Sequence, residues 1–159
     1  MSGVRKWTWG VAGALTGVVL GAGAAVAAPA AGLEADLAFH GTAVMNGDRV
    51  EVKLTPHNDG PSALPDATVR LRWSVALAEE QRLPARCVRE DERTVLCGTG
   101  ALAANGVGEQ LDVPVRLKEK PSEVTVEIDT AWGGGATDKD RTNDRTQVLV
   151  LDTGDAYAF

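Results

Sequence analysis

From Val50 to Leu151 the chain alternates apolar and polar residues with a period of two. This pattern restricts what it can fold into more than any other feature. Val50, Val52 and Leu54 alternate with Arg49, Glu51 and Lys53. Val69, Leu71, Trp73 and Val75 alternate with Arg70, Arg72 and Ser74. The same pattern runs through Leu111–Leu117, Val124–Ile128 and the segment from Thr146 to Leu151. Successive side chains of a strand point to opposite faces, so each run makes a strand with one buried and one wet face. Antiparallel sheets read this way, whereas buried parallel strands are apolar throughout. Turn residues separate the runs. Asn46-Gly47 marks a hairpin between Leu37–Met45 and Arg49–Thr55, with both turn residues expected to take positive φ. Asn58-Asp59-Gly60-Pro61-Ser62, Asn105-Gly106-Val107-Gly108, Lys120-Pro121-Ser122 and Gly133-Gly134-Gly135 break the chain elsewhere. About seven or eight short strands with regular turns predict an all-β antiparallel sandwich. Trp73, among aliphatic strand neighbours, is expected in its core, and Pro114 marks an edge strand or a bulge. The one helical expectation is a short piece over Ala76–Arg82.

The first thirty residues are of another kind. Arg5 and Lys6 are the only charges before Glu34, and an apolar run from Trp7 to Ala28 follows. Ala25-Val26-Ala27 and Ala28-Pro29-Ala30 then supply small-residue cleavage patterns. A basic start, an apolar stretch and an Ala-x-Ala end make a secretory signal. We therefore divide the chain into a signal peptide, residues 1–30, and one domain, residues 31–159. The alternative is a retained membrane anchor, although five glycines between Gly10 and Gly23 suit a spanning helix poorly. Arg5-Lys6 is not a twin-arginine pair, which favours general secretion. The full chain carries a net charge of −6, and removing Arg5 and Lys6 makes it more negative. Such a domain is not drawn to nucleic acid or anionic membranes by bulk charge. The expected location is extracellular, in solution or at the cell wall.

Compartment also decides how the two cysteines, Cys87 and Cys97, are read. In an oxidising environment a close pair forms a disulfide; the alternative is two free buried thiols. The charged segment Val88–Leu96 between them reads as a hairpin whose tip, Glu90–Arg93, lies in solvent.

Catalytic chemistry is sparse. His40 and His57 are the only histidines. Ser62, Ser74 and Ser122 have no nucleophile-elbow context, and no phosphate loop or paired-ligand metal motif is present in the sequence. His57 beside Asp59 is read as an exposed turn histidine rather than half of a dyad. Asp66 and Asp112 are read as strand acids facing solvent, with no reason for a raised pKa. We expect no enzyme and no cofactor. One segment has the oxygen ligands that calcium prefers: Asp138, Asp140, Asn143 and Asp144. It lacks glycine at the sixth position and a closing glutamate, and Lys139, Arg141 and Arg145 offset its charge. The simpler reading is a polar loop with Asx turns.

These residues, taken in order, resemble a known family. The order is Asn58-Asp59-Gly60-Pro61-Ser62-Ala63, Cys87…Cys97-x-x-Gly100-x-Leu102, the alternating Leu111–Leu117, then Asp138-x-Asp140-x-x-Asn143-Asp144. It is similar to the Ig-like bacterial surface-repeat family labelled a domain of unknown function, related to bacterial cell-adhesion-related domains. The resemblance covers about Ala35 to Asp152. It implies an Ig-like sandwich of about seven strands, a structural turn at Asn58, Gly60 and Pro61, a structural disulfide, and no catalytic residues. Three features depart from it. Asn105 interrupts the stretch after the second cysteine, one copy stands where repeats are common, and no wall-sorting signal follows Leu151.

The function expected from all of this is a secreted, non-enzymatic Ig-like module binding or spacing at the cell surface. Its partner would be a cell-envelope component or a secreted protein. The alternatives are a calcium-dependent adhesion module and a small secreted enzyme inhibitor or hydrolase. An inhibitor would use the stapled tip at Glu90–Arg93. Replacing Asn58 or Gly60 by alanine is expected to remove about 1 kcal/mol of turn chemistry.

Overall fold

The computed structural model describes residues 32–159; the predicted signal peptide lies outside the described residues. The strands are β1 (Glu34–Ala35), β2 (Leu37–Asn46), β3 (Arg49–Asn58), β4 (Thr68–Trp73), β5 (Cys87–Arg89) and β6 (Thr94–Gly98). They continue as β7 (Gly106–Val107), β8 (Leu111–Arg116), β9 (Glu123–Trp132), β10 (Thr137–Asp138), β11 (Arg145–Leu151) and β12 (Ala156–Ala158). Seven of them, β2, β3, β4, β6, β8, β9 and β11, have five residues or more. No helix occurs among the described residues.

Two antiparallel sheets form the sandwich. One runs β11-β9-β4-β6-β5, the other β12-β2-β3, with β7 and β8 both on the far side of β3. The short parallel pair β1-β10 stands apart. One apolar cluster takes residues from both sheets: Val52 and Val113 from one, Leu71, Val95, Val126 and Val150 from the other. This is the antiparallel sandwich that the alternation implies, its two inner faces interdigitating. Trp73 is 1% exposed at its centre, with its indole N–H unpartnered. A second cluster, Ala35, Leu37, Leu64, Ala67 and Leu102, closes one end.

The β2-β3 hairpin forms one residue later than its Asn-Gly signal suggests. Asn46 pairs with Arg49, so Gly47 and Asp48 are the central residues. Gly47 has φ +63°, while Asp48 is not left-handed. A glycine with positive φ at the first central position alone suits a type II′ turn, not the doubly positive type I′. Asn105, at φ 49°, is the one non-glycine with positive φ among the described residues; asparagine tolerates that region better than most.

The Ala76–Arg82 helix does not form. Leu77 makes an isolated bridge to Leu117, and the Ala78 N–H donates to the Arg116 carbonyl at 2.9 Å. Strand pairing along the edge of β8 claims the backbone groups a helix would need. The Gln81 side chain continues this closure: its Nε2 donates to the Arg116 carbonyl at 2.8 Å, and its Oε1 accepts the Arg116 N–H at 2.9 Å. Pro114 lies on β8, which pairs with β3 alone. Its missing N–H and the Gln81 amide together blunt an edge that could otherwise template pairing with another chain.

Candidate functional site

The Cys87–Cys97 disulfide is present and joins β5 directly to β6, where the two residues are in register. Cys87 is 7% exposed and Cys97 not at all, so the bond belongs to the core and not to the surface. The charged segment above it is not a free tip. Arg89 sits at the end of β5 and donates to five backbone carbonyls: Asp91 through Nε at 2.8 Å, Ala78 and Glu79 through Nη1 at 2.7 and 3.0 Å, Leu77 and Glu92 through Nη2 at 3.3 and 3.4 Å. A guanidinium has five N–H donors in a fixed fork, and this one clamps the hairpin to segment 77–79. The N–H groups of Trp73 and Leu77 donate to the Arg93 and Glu92 carbonyls in the same seam. Glu90–Arg93 is exposed but held at its base by both the disulfide and Arg89.

At another corner the Asn58 side chain is fully buried, 0% exposed. Its Nδ2 donates to the carbonyls of Ser62 at 2.8 Å and Ala103 at 3.1 Å. Its Oδ1 accepts the N–H groups of Gly60 at 3.1 Å and Asp36 at 3.3 Å. One amide thus ties the 58–62 turn to the segment before β2 and to the loop before β7. Gly60 serves close approach rather than turn conformation alone. A Cβ there would lie 2.5 Å from the Ala35 Cα and 2.6 Å from the Asp36 nitrogen, both backbone atoms that cannot step aside. Pro61 is exposed on the outside of the turn.

The oxygen-rich loop distributes its groups differently from a calcium cradle. Asp138 accepts the Leu37 N–H through Oδ2 and the Asp140 N–H through Oδ1, both at 3.0 Å. Asp140 Oδ1 accepts the N–H and the hydroxyl of Thr142. Those bonds hold the Asp140 carboxyl below the ordinary carboxylate range, the hydroxyl most of all. Asn143 Nδ2 donates to Asp36 Oδ1 at 2.7 Å. Asp144 is 3% exposed. Its Oδ2 lies 3.2 Å from the Arg141 Nε in an ion pair, yet without hydrogen-bond geometry. Burial pushes its pKa up, with Asp138 and Asp129 adding to the rise and Arg141 opposing it. Among the described residues no group of three or more His, Cys, Asp or Glu is arranged to hold a metal ion.

His57 does not sit in a turn. It is in β3, opposite Ala38 on β2 and Val107 on β7, and half-buried. Its neighbour is His40, with ring centroids 5.0 Å apart. Asp66 is not a solvent-facing strand acid either. It precedes β4, and its Oδ1 accepts the N–H groups of Ala67 at 3.0 Å and Gly100 at 2.8 Å. Asp112 is an exposed strand residue of β8 as expected. Ser62 and Ser74 cap backbone N–H groups, those of Glu34 and Thr125.

Two surfaces went unseen in the sequence. Arg70, Asp129 and Arg145 fall in one cross-strand row on β4, β9 and β11. Arg70 meets Asp129 through both Nε and Nη2, at 2.9 and 2.6 Å, the bidentate geometry that fixes a guanidinium against a carboxylate. The second surface is a groove of about 1150 Å³ over the outer face of the β2-β3-β8 sheet, with Val44, Glu51 and Pro114 on its floor. The 79–82 segment, anchored by Gln81 and Arg89, walls one side. Both surfaces depend on strand register, which no local sequence signal carries. No protein-family model matches this chain, and no curated protein matches its sequence.

Proposed function

We propose that this chain is a secreted, non-enzymatic Ig-like module of the bacterial surface-repeat type. It works at or outside the cell surface as a binding or spacing unit, with a cell-envelope component or a secreted protein as partner. The observation that carries the reading is the Cys87–Cys97 bond, in register between adjacent strands and packed in the core. Disulfides persist in oxidising compartments and are rare where thiols are kept reduced, which accords with the signal-like leader. The rest of the molecule fits a rigid module. Arg89, Asn58 and Gln81 close its loops and one sheet edge onto backbone groups. Ser62, Ser74 and Asp66 hold backbone N–H groups, as positioning residues of a scaffold do.

The experiment is fractionation followed by reconstitution. Antibody against residues 31–159 is used to follow the native protein in medium, wall, membrane and cytoplasm of the producing cells. Purified oxidised protein is then sedimented with isolated walls. The expected result is protein in medium or wall, with saturable sedimentation. Protein confined to the cytoplasm with both thiols free would overturn the proposal.

A further inference from the structure

The chain has only two histidines, and folding brings them together. His40 lies on β2 opposite Thr55, and His57 lies on β3 opposite Ala38. They are therefore diagonal neighbours across one antiparallel pair. Both are on the outer face, because their strand neighbours Phe39 and Pro56 are buried while His40 is exposed and His57 half-buried. The ring centroids are 5.0 Å apart and the planes meet at 88°. No nitrogen of either ring is among the buried polar atoms left without a partner.

We propose that His40 and His57 form a two-histidine binding site for a divalent transition ion, with Zn(II) as its best-fitting occupant. The separation is the first argument. With Zn–N bonds of about 2.0–2.1 Å and a tetrahedral angle, two imidazoles sharing one ion have centroids roughly 5 Å apart. In the edge-to-face arrangement one ring's edge points at the other's face. Chelation requires rotation of one ring about χ2 so that a nitrogen of each faces a common point. The rigidity of the platform is the second argument. β2 and β3 pair over ten residues each, so the two Cβ positions are fixed before any ion arrives. Ligand chemistry is the third. Imidazole suits zinc, copper and nickel, whereas calcium takes oxygen ligands, so this site is chemically distinct from the Asp138–Asp144 loop. Two protein ligands leave two positions of a tetrahedron open. Water fills them in the isolated protein, and donors of a bound partner can replace it. The site therefore gives an exchangeable ion rather than a structural one.

Zn(II) is titrated into the tag-free oxidised protein, with calorimetry for affinity and NMR for the histidine Cε1–H signals. Saturable binding is expected, with both histidine signals shifting over the same range of added zinc and Ca(II) leaving them in place. His40→Gln and His57→Gln should each weaken binding by about tenfold or more, and the double variant little further, because one ligand alone makes no chelate. Absence of saturable zinc binding would overturn the proposal. So would movement of only one histidine signal, or binding unchanged in either variant. The wild-type NMR titration decides the question even where a variant folds poorly.

Discussion

Two buried polar side chains, Asn58 and Asp144, show opposite ways of carrying polarity inside this sandwich. Asn58 is 0% exposed and Asp144 3% exposed. Both fasten segments that bear on Asp36: Asn58 through its own Oδ1, the Asp144 loop through Asn143. Asn58 is neutral, and each of its two polar atoms has two backbone partners. Asp144 keeps an oxygen with no hydrogen bond, as does the hydroxyl of Thr130, whose backbone N–H donates to the Asp144 carbonyl. Its ion pair is with Arg141, whose side chain is 69% exposed. An amide closed on four sides organises a corner, because each bond replaces one lost to solvent. A desolvated carboxylate opposes folding, and here the opposition shows as a raised pKa.

Substitutions separate the two corners, Asn58→Ala most strongly. Asn58→Ala leaves two carbonyls and two N–H groups without partners. It should lower stability by about 3–4 kcal/mol, read from the urea midpoint at constant slope. Gly60→Ala drives a methyl into the Ala35 backbone and should remove about 2–3 kcal/mol, more than loss of turn preference alone accounts for. Arg89→Met preserves the stem and removes the clasp. Its acceptors are partly reached by water, so the loss should be about 1–2 kcal/mol, with faster hydrogen exchange over 77–79 and 91–92. Equal protection in that variant and wild type would mean the disulfide alone holds the tip.

Asp144→Asn should have the smallest effect at neutral pH, and its sign is the test. A carboxylate whose folded pKa is raised holds a proton in the native state that the unfolded chain has already released. Wild-type stability therefore falls as pH rises from the ordinary carboxylate range through the raised value. Asp144→Asn should abolish that decline and leave stability at neutral pH unchanged or improved. A pH profile with the decline intact would assign it elsewhere. Asp48, Asp91 and Asp140 work in the other direction. Their pKa values are lowered, chiefly by hydrogen bonds from Arg116, Arg93 and Thr142 respectively. The support they give disappears as pH drops below the ordinary range, and their exposure keeps it small.

What could be read from the sequence is what depends on near neighbours. Alternation placed Val50, Leu71, Val113 and Val126 in the core, where all four are at most 1% exposed. The short Cys87–Cys97 spacing marked the hairpin, and Pro114 marked the edge. What escaped depends on which strands become neighbours. Nothing near Arg89 says that segment 77–79 will pass beside it, or near His40 that His57 will lie diagonally across the hairpin. Ala76–Arg82 looked helical because its local preference was judged without β8 alongside. Gly60 looked like a turn glycine because the approach of Ala35 is a tertiary fact. Asn58 was identified through its turn, while two of its four partners, Asp36 and Ala103, lie far off in the chain.

The proposed surface role requires an oxidised domain released outside the membrane. Intact mass of the native protein from the culture medium and wall, under non-reducing conditions, tests this most directly. The predicted mass lacks a leader ending between Ala27 and Ala30 and is two hydrogens lighter than the reduced chain. An unprocessed mass in the membrane would make the leader an anchor, and a fully reduced mass in the cytoplasm would contradict the account outright.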